Sequence, residues 1–210
     1  MSSEYGTREV VDLIVELGLV DSAVAAESLA PYELDQPLSY FGRTVPRAVC
    51  GLLGELGIRY TLDYKTFRGI EDADDEERSA WYRDELEAIA ACARGAVTIT
   101  EVRLVEGDED EWDLRFDWNG DTHVWSVCPG DAEEALEAAL TFATYLPGMT
   151  AHPVGVFCAV DPPDEDYSGE AVFGDPDALN ALGARFGLEF IGPRFRAPEA
   201  GSETGPSPVG

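Results

Sequence analysis

Basic residues are scarce in this chain. Among its 210 residues Lys and Arg total 14, with Lys65 the single lysine, whereas Asp and Glu total 42 and the formal net charge is −28. Such a surface repels nucleic acid and anionic membranes, and it attracts basic proteins or metal cations. A GC-rich genome would by itself favour Arg over Lys, and a salt-adapted proteome would add the excess of acids. Net charge alone therefore indicates no particular partner.

Histidine is almost absent, which limits the catalytic chemistry that the chain can carry. Only His123 and His152 are present, and the sequence contains no Walker A loop, no GxGxxG motif and no nucleophile elbow. Alternation along the predicted strand at 121–128 places Ser126 on the opposite face from His123, so a catalytic triad has no support. We therefore predict neither a catalytic site nor a cofactor.

Cysteines are few and widely spaced. They stand at Cys50, Cys92, Cys128 and Cys158, with no CxxC pair and no close Cys-His pair. Structural zinc sites normally bring their ligands in close pairs, and disulfide frameworks are denser in cysteine. The four residues are predicted to be buried thiols.

The chain also lacks a long apolar run. No stretch approaches the roughly 20 apolar residues needed to cross a bilayer. The first 20 residues mix Glu4, Arg8, Glu9, Asp12 and Glu16 among their apolar residues, unlike a secretory signal. Apolar residues nevertheless make up 45% of the chain, enough for a substantial core. We expect a compact cytoplasmic protein that does not enter membranes.

Apolar periodicity and capping residues predict an α+β fold with an N-terminal helical segment and a central antiparallel β-hairpin at about 111–128. We expect one domain over residues 1–196, with a smaller C-terminal lobe at 150–196 as the alternative, and a disordered tail at 197–210. Helices are predicted at 7–17, 21–30, 44–56, 74–95, 131–146 and 175–186. Strands are predicted at 58–67, 96–105, 111–118, 121–128, 154–160, 171–173 and 188–191.

The hairpin is predicted in most detail, because Asn119-Gly120 favours a two-residue type I′ turn in which both residues take positive φ. That turn fixes the register. It pairs Phe116 with His123, Leu114 with Trp125 and Trp112 with Val127 on one face, which we expect to be buried under the helix at 131–146.

One acidic loop partly matches a calcium-binding motif. Asp164, Asp166, Ser168, Gly169 and Asp175 occupy positions 1, 3, 5, 6 and 12 of such a loop. Position 12 is Asp instead of the bidentate Glu, and Pro162-Pro163 stands where a helix should enter. The pattern favours a plain acidic turn, so no metal site is predicted.

The acids are concentrated in the middle of the chain. Residues 71–140 hold 22 Asp and Glu against 5 Arg, a net charge of −17. Two acidic windows, at 71–77 and 106–113, are either solvated surface or parts of a ridge that steers a basic partner towards aromatic anchors. The predicted partner-binding residues are Asp108, Glu109, Asp110, Glu111, Trp112 and Trp118.

Three classes of function are compatible with these patterns. The leading hypothesis is a non-enzymatic binding protein, most concretely an immunity or antitoxin-type inhibitor that masks a basic partner such as a nuclease toxin. The alternative is a small-molecule-binding or enzymatic α+β domain with a pocket near His123 and Trp125. A structural or oligomeric module is the third class, and the sequence does not indicate the oligomeric state.

Overall fold

The computed structural model of the chain describes residues 5–61, 65–107, 112–145, 155–160 and 170–191. This part has the predicted α+β class, with helices and antiparallel strands that alternate only in part. The α-helices are α1 (Thr7–Glu16), α2 (Ser22–Ser28), α3 (Val45–Glu55), α4 (Asp75–Cys92), α5 (Ala132–Tyr145) and α6 (Pro176–Phe186). The strands are β1 (Arg59–Thr61), β2 (Ile99–Glu106), β3 (Trp112–Trp118), β4 (Asp121–Val127), β5 (Val156–Val160), β6 (Glu170–Gly174) and β7 (Phe190–Ile191). Short 3-10 helices lie at Leu38–Tyr40 and Ile70–Asp72.

The strands form two antiparallel sheets. One sheet has the order β2-β3-β4, and the other has the order β1-β6-β5-β7. In the second sheet Arg59 pairs with Val172 and Thr61 pairs with Glu170, so β1 pairs with a strand more than a hundred residues away. The described C-terminal strands thus share a sheet with the N-terminal half. The domain boundaries stay predictions, and the tail at 197–210 lies outside the described residues.

Two hydrophobic cores flank the four-stranded sheet. Strand β6 contributes to both, because successive side chains point to opposite faces: Ala171 and Phe173 belong to the first core, and Val172 belongs to the second. The first core contains residues of α4, α5 and the three-stranded sheet. The second core contains residues of α1, α2, α3 and α6. The four-stranded sheet therefore joins the two parts of the molecule.

Local signals at helix ends mostly act as expected. Thr44 accepts a hydrogen bond from the Arg47 N–H at 3.4 Å at the start of α3, and Gly18 takes a φ of 71° after α1. Helix α1 has no side-chain cap: Gly6 precedes it, and Thr7 is its first residue. The Thr7 side chain is fully buried and caps nothing.

The hairpin register is confirmed. Phe116 pairs with His123, Leu114 with Trp125 and Trp112 with Val127, and the turn residues Asn119 and Gly120 have φ of 50° and 92°. The helix that mainly covers this sheet is α4 instead of α5, since α4 packs along β2 while α5 has a smaller contact with β4. In the predicted strand at 58–67, Arg59–Thr61 pairs as β1 and Phe67 is buried within a turn, while residues 62–64 lie outside the described residues.

Among the residues that the structure describes, no helix has both the length and the apolar character that a membrane span requires.

Candidate functional site

The start of α4 presents a cluster of acidic side chains, which we call the acidic ridge. It consists of Glu71, Asp72, Asp74, Asp75, Glu76 and Glu77, and all six residues are exposed. Its local structure follows from the sequence, because Asp74 forms a capping box with Glu77. The Asp74 Oδ1 accepts from the Glu77 N–H at 2.9 Å, and the Glu77 Oε2 accepts from the Asp74 N–H at 3.3 Å. Acids in this first turn also suit the positive end of the helix dipole.

The cation nearest to the ridge in sequence, Arg78, points back towards the backbone. Its Nε donates to the Ile70 carbonyl at 3.0 Å, and its Nη2 donates to the Glu71 carbonyl at 2.9 Å. Its Nη1 lies 3.8 Å from the Asp75 carboxylate, and the side chain is only 17% exposed. Arg78 therefore holds the 3-10 turn against α4, and it neutralises only part of the ridge.

A serine links the ridge to the end of strand β2. The Ser79 hydroxyl donates to the Asp75 carbonyl at 2.7 Å and accepts the Leu104 N–H at 3.3 Å. This contact brings the first turns of α4 beside the end of β2, where Glu106 is exposed. Because Glu106 pairs with Trp112 and Val105 pairs with Asp113, the start of β3 lies there too. The acidic ridge therefore lies beside the described ends of the second acidic window, at Glu106, Trp112 and Asp113.

The predicted partner-binding residues divide into three groups. Asp108, Glu109, Asp110 and Glu111 lie outside the described residues. Trp112 is partly buried and packs against the first core, so part of its ring stays accessible. Trp118 is only 2% exposed, and the expectation that it is an accessible anchor is wrong. It lies on the same strand face as Leu114 and Phe116, and it pairs with Ile99 of β2 inside the core.

One partly exposed tryptophan near these acids was not predicted from the sequence. Trp81, on α4, is partly buried and packs against the first core one turn beyond Glu77. Its position next to Tyr82, which begins the buried stripe of α4, could have indicated an aromatic ring at the boundary between core and solvent. Trp81 therefore joins Trp112 as a partly exposed ring near the acids.

The outer face of the three-stranded sheet is less acidic than the ridge. The Arg115 guanidinium lies 3.0 Å from the Asp113 carboxylate, and the Thr122 hydroxyl donates to Asp117 at 2.6 Å. Arg103 is exposed and pairs across the strands with Arg115. Asp113 and Asp117 thus already have partners within the protein, which makes this face a poorer site for a cationic protein.

At the alternative site, His123 and Trp125 pack beside the Phe116 ring. The half-buried His123 ring stacks on Phe116 with centroids 5.6 Å apart and an interplanar angle of 22°, and Trp125 lies 6.5 Å from the same ring. Ser126 is on the opposite face of β4, as predicted, because its strand partner is Asp113. His123 lines neither the cleft between α1 and α6 nor the cleft that contains Arg94, two clefts formed by described residues.

The calcium-like pattern gains no support from the part that can be seen. Asp164, Asp166 and Ser168 lie outside the described residues. Asp175 caps α6, where its Oδ1 accepts from the N–H groups of Asp177 and Ala178, each at 3.0 Å. Over the described ranges, no group of three or more His, Cys, Asp or Glu residues is arranged to hold a metal ion.

One buried carboxylate, Glu170, and one half-buried carboxylate, Glu85, were not predicted. Glu170 is 5% exposed, and its Oε1 lies 2.8 Å from Arg59 and 3.8 Å from Arg47. Burial raises the pKa of Glu170, although both arginines oppose the shift. Glu85 accepts a hydrogen bond from the buried Tyr60 hydroxyl, and burial raises its pKa too. The Glu170 cluster connects β1, β6 and α3, so it serves as a structural junction.

The cysteines follow the prediction in part. Cys50 and Cys92 are buried, and burial raises the pKa of each thiol to about 11, which keeps both protonated and unreactive. Cys128 is exposed, so the prediction of a buried thiol is wrong there. It follows the last residue of β4 and precedes Pro129-Gly130, at the point where the chain turns away from the sheet.

Comparison of this chain with protein-family models, with curated proteins and with solved structures found no match.

Proposed function

We propose that this protein is a non-enzymatic binding protein whose acidic ridge masks a basic protein. In its most concrete form it is an immunity or antitoxin-type inhibitor of a nuclease or another cationic toxin. The observation that supports the proposal is the contact between Ser79 and Leu104, which brings the acidic ridge beside the end of β2, where Glu106 is exposed.

The charge of the ridge suits such a partner. A nuclease must display positive charge in order to hold phosphates, and an inhibitor with a matching acidic surface can occupy the same groups. Six acids lie within residues 71–77, and Arg78, the adjacent cation, is committed to backbone carbonyls. The ridge therefore keeps most of its negative charge for an external cation.

The partly exposed tryptophans can supply the binding affinity that surface charges alone do not provide. Charges at an interface mainly speed encounter and fix orientation, while affinity comes from a few desolvated anchors that are enriched in Trp, Tyr and Arg. Trp81 and Trp112 each combine a face packed on the core with an accessible part. Rings held in this way lose little entropy when a partner covers them.

The test begins with capture of the partner from cells of the source organism, or with the purified product of the neighbouring gene. We expect a basic protein that dissociates as the salt concentration rises, because screening weakens steering between opposite charges. The triple variant Glu71→Lys, Asp72→Lys and Glu76→Lys should slow association by about tenfold or more at low salt. Stopped-flow or surface-plasmon kinetics would measure the rate.

The matched control reverses three exposed acids away from the ridge, Asp12, Glu16 and Glu27, to Lys. It changes the net charge by the same amount, so it separates the position of the charges from their number. Equal slowing by both triple variants would mean that net charge alone governs association, and the ridge would lose its role. Thermal melts of both variants would establish that each one folds.

A further inference from the structure

A cleft opens where the two hydrophobic cores meet. Leu19 and Val24, which belong to or pack on the second core, line one side, and Phe173 of the first core lines the other. Its volume of about 470 Å³ lies within the range of small-molecule sites, which often form at such junctions. The cleft lies between parts of the chain that are distant in sequence, so it depends on the complete fold.

One charged group in this cleft, Arg94, is unlike the other half-buried arginines. Arg47, Arg59, Arg78 and Arg115 each have a carboxylate or carbonyl partner. Arg94 is also half-buried, yet its side chain has no hydrogen bond or ion pair with any described residue. Its backbone φ of 54° is one that residues other than glycine seldom adopt. Partial burial of an unpaired guanidinium is costly, which makes an external anion a favourable partner.

Two aspartates line the same cleft and bear the opposite charge. Asp21 precedes α2, but its side chain makes no capping bond, and no described residue pairs with it. Asp175 uses Oδ1 to cap α6, and this leaves its second carboxylate oxygen for another donor. Neither aspartate forms an ion pair with Arg94. The cleft thus holds separated positive and negative groups beside an apolar wall.

We propose that this cleft binds a small zwitterion, namely an α-amino acid with an apolar side chain. The ligand carboxylate pairs with Arg94, its ammonium group pairs with Asp21 and Asp175, and its side chain lies against Leu19, Val24 and Phe173. A simple anion would meet repulsion from both aspartates, and a simple cation would meet repulsion from Arg94. This site is independent of the acidic ridge and of the partner proposed for it.

The experiment uses L-leucine and L-phenylalanine as probes, with isothermal titration and thermal melting of the full chain. We expect saturable binding of at least one of them, with a dissociation constant on the order of 1 mM or lower. N-acetyl-L-leucine lacks the ammonium charge, L-leucinamide lacks the carboxylate, and the corresponding phenylalanine derivatives differ in the same way. Each derivative should bind at least about tenfold more weakly than its parent, because each leaves one charge of the cleft unpaired.

Variants of Arg94 and Asp21 test which residue binds the carboxylate and which binds the ammonium group of the amino acid. Arg94→Gly suits the positive φ and should fold at least as well as the parent, but it should bind the free amino acid no better than the amide. Asp21→Asn should reduce the preference for the free amino acid over the N-acetyl derivative. Arg83→Gln, at an exposed position of α4 outside the cleft, should leave binding unchanged.

Absence of saturable binding by both amino acids at roughly 10 mM would overturn the proposal. Equal affinity for the parent amino acid and its two derivatives would overturn it as well, and so would unchanged binding by Arg94→Gly. The triple ridge variant should bind the amino acid normally, so failure of one proposal is distinguishable from failure of the other.

Discussion

At the scale of single residues, the cluster of Arg47, Arg59 and Glu170 depends on Gly54, which has no side chain and so leaves space for the Arg59 guanidinium. The Arg59 guanidinium lies against Gly54 of α3, where a Cβ would be 2.7 Å from Nη2. Gly inside a helix costs roughly 0.5–1 kcal/mol relative to Ala, so Gly54 is expensive for α3 by itself. The gain is room for Arg59 to reach Glu170 at 2.8 Å. Glycine at position 54 therefore lowers the helix propensity of α3 but leaves space for the ion pair between Arg59 and Glu170.

This conflict predicts opposite effects of one substitution in two backgrounds. Gly54→Ala in the parent should lower the free energy of unfolding by about 1 kcal/mol, because Arg59 must move away from its buried partner. In an Arg59→Ala background, Gly54→Ala should raise it by about 0.5–1 kcal/mol, the ordinary gain in helix propensity. Urea denaturation of the four proteins gives the coupling between the two sites.

One outcome of this double-mutant cycle would contradict the interpretation. If Gly54→Ala has the same effect in both backgrounds, Arg59 does not require the space above Gly54. The ion pair would then be loose, and Glu170 would gain little from it. Exposed ion pairs such as Arg8 with Asp35 offer a comparison, because such pairs contribute little to stability.

At the scale of elements, the hairpin turn does more than connect β3 to β4. Asn119 takes a φ of 50°, and its side-chain Oδ1 accepts from the Thr98 N–H at 2.8 Å and from the Thr98 hydroxyl at 3.1 Å. Its Nδ2 donates to the Ala96 carbonyl at 3.3 Å. One residue thus sets the turn and attaches it to the segment that leads into β2.

Two substitutions at Asn119 separate these roles. Asn119→Gly keeps access to positive φ but loses the side-chain bonds, so it should lower the free energy of unfolding by about 1–2 kcal/mol. Asn119→Ala loses the same bonds and adds left-handed strain, so it should cost about 1 kcal/mol more. Chemical denaturation measures both. If the Gly variant were as stable as the parent, the bonds to Thr98 and Ala96 would contribute nothing.

Elements were predictable from the sequence where the determining residues are local. Asn119-Gly120 sets the hairpin register, and Thr44, Asp74 and Asp175 mark the starts of their helices. The accessibility of Trp118 was not predictable in the same way. Whether a residue at the end of a strand is covered depends on the neighbouring strand, and here Ile99 of β2 pairs with it. The same limit applies to Cys128, whose exposure depends on the path of the chain after β4.

At the scale of the whole molecule, sequence separation limited what could be predicted. The pairing of Arg59 with Val172 has no local signal, so the order of the four-stranded sheet was out of reach. The position of the acidic ridge beside Glu106 depends on the contact of Ser79 with Leu104, and the cleft at Arg94 depends on how the two cores meet. The acids themselves were identifiable from composition, but their arrangement and the unpaired arginine follow only from tertiary structure.

The stability of the whole protein should depend on pH through two individual residues, Glu85 and Glu170. Burial raises the pKa of Glu85, the adjacent Asp84 adds to the shift, and the Tyr60 hydrogen bond opposes it. Burial raises the pKa of Glu170 as well. A carboxyl with a higher pKa in the folded chain binds its proton more tightly there than when unfolded. These two groups therefore make the free energy of unfolding increase as the pH falls through their folded pKa values, and decrease as the pH rises.

Urea denaturation between about pH 8 and about pH 5 should show this increase, and Glu85→Gln should reduce its slope while keeping an acceptor for Tyr60. Added salt distinguishes the titration of Glu85 and Glu170 from the repulsion that arises from the net charge of −28. Adding about 0.5 M NaCl should stabilise the protein at every pH in this range by screening surface repulsion, but it should leave most of the Glu85 contribution, because partly buried charges are screened less than exposed ones. An identical slope in the parent and the Glu85→Gln variant would mean that this carboxyl titrates as it does in the unfolded chain. The pH dependence would then have to come from surface repulsion, and salt should abolish it.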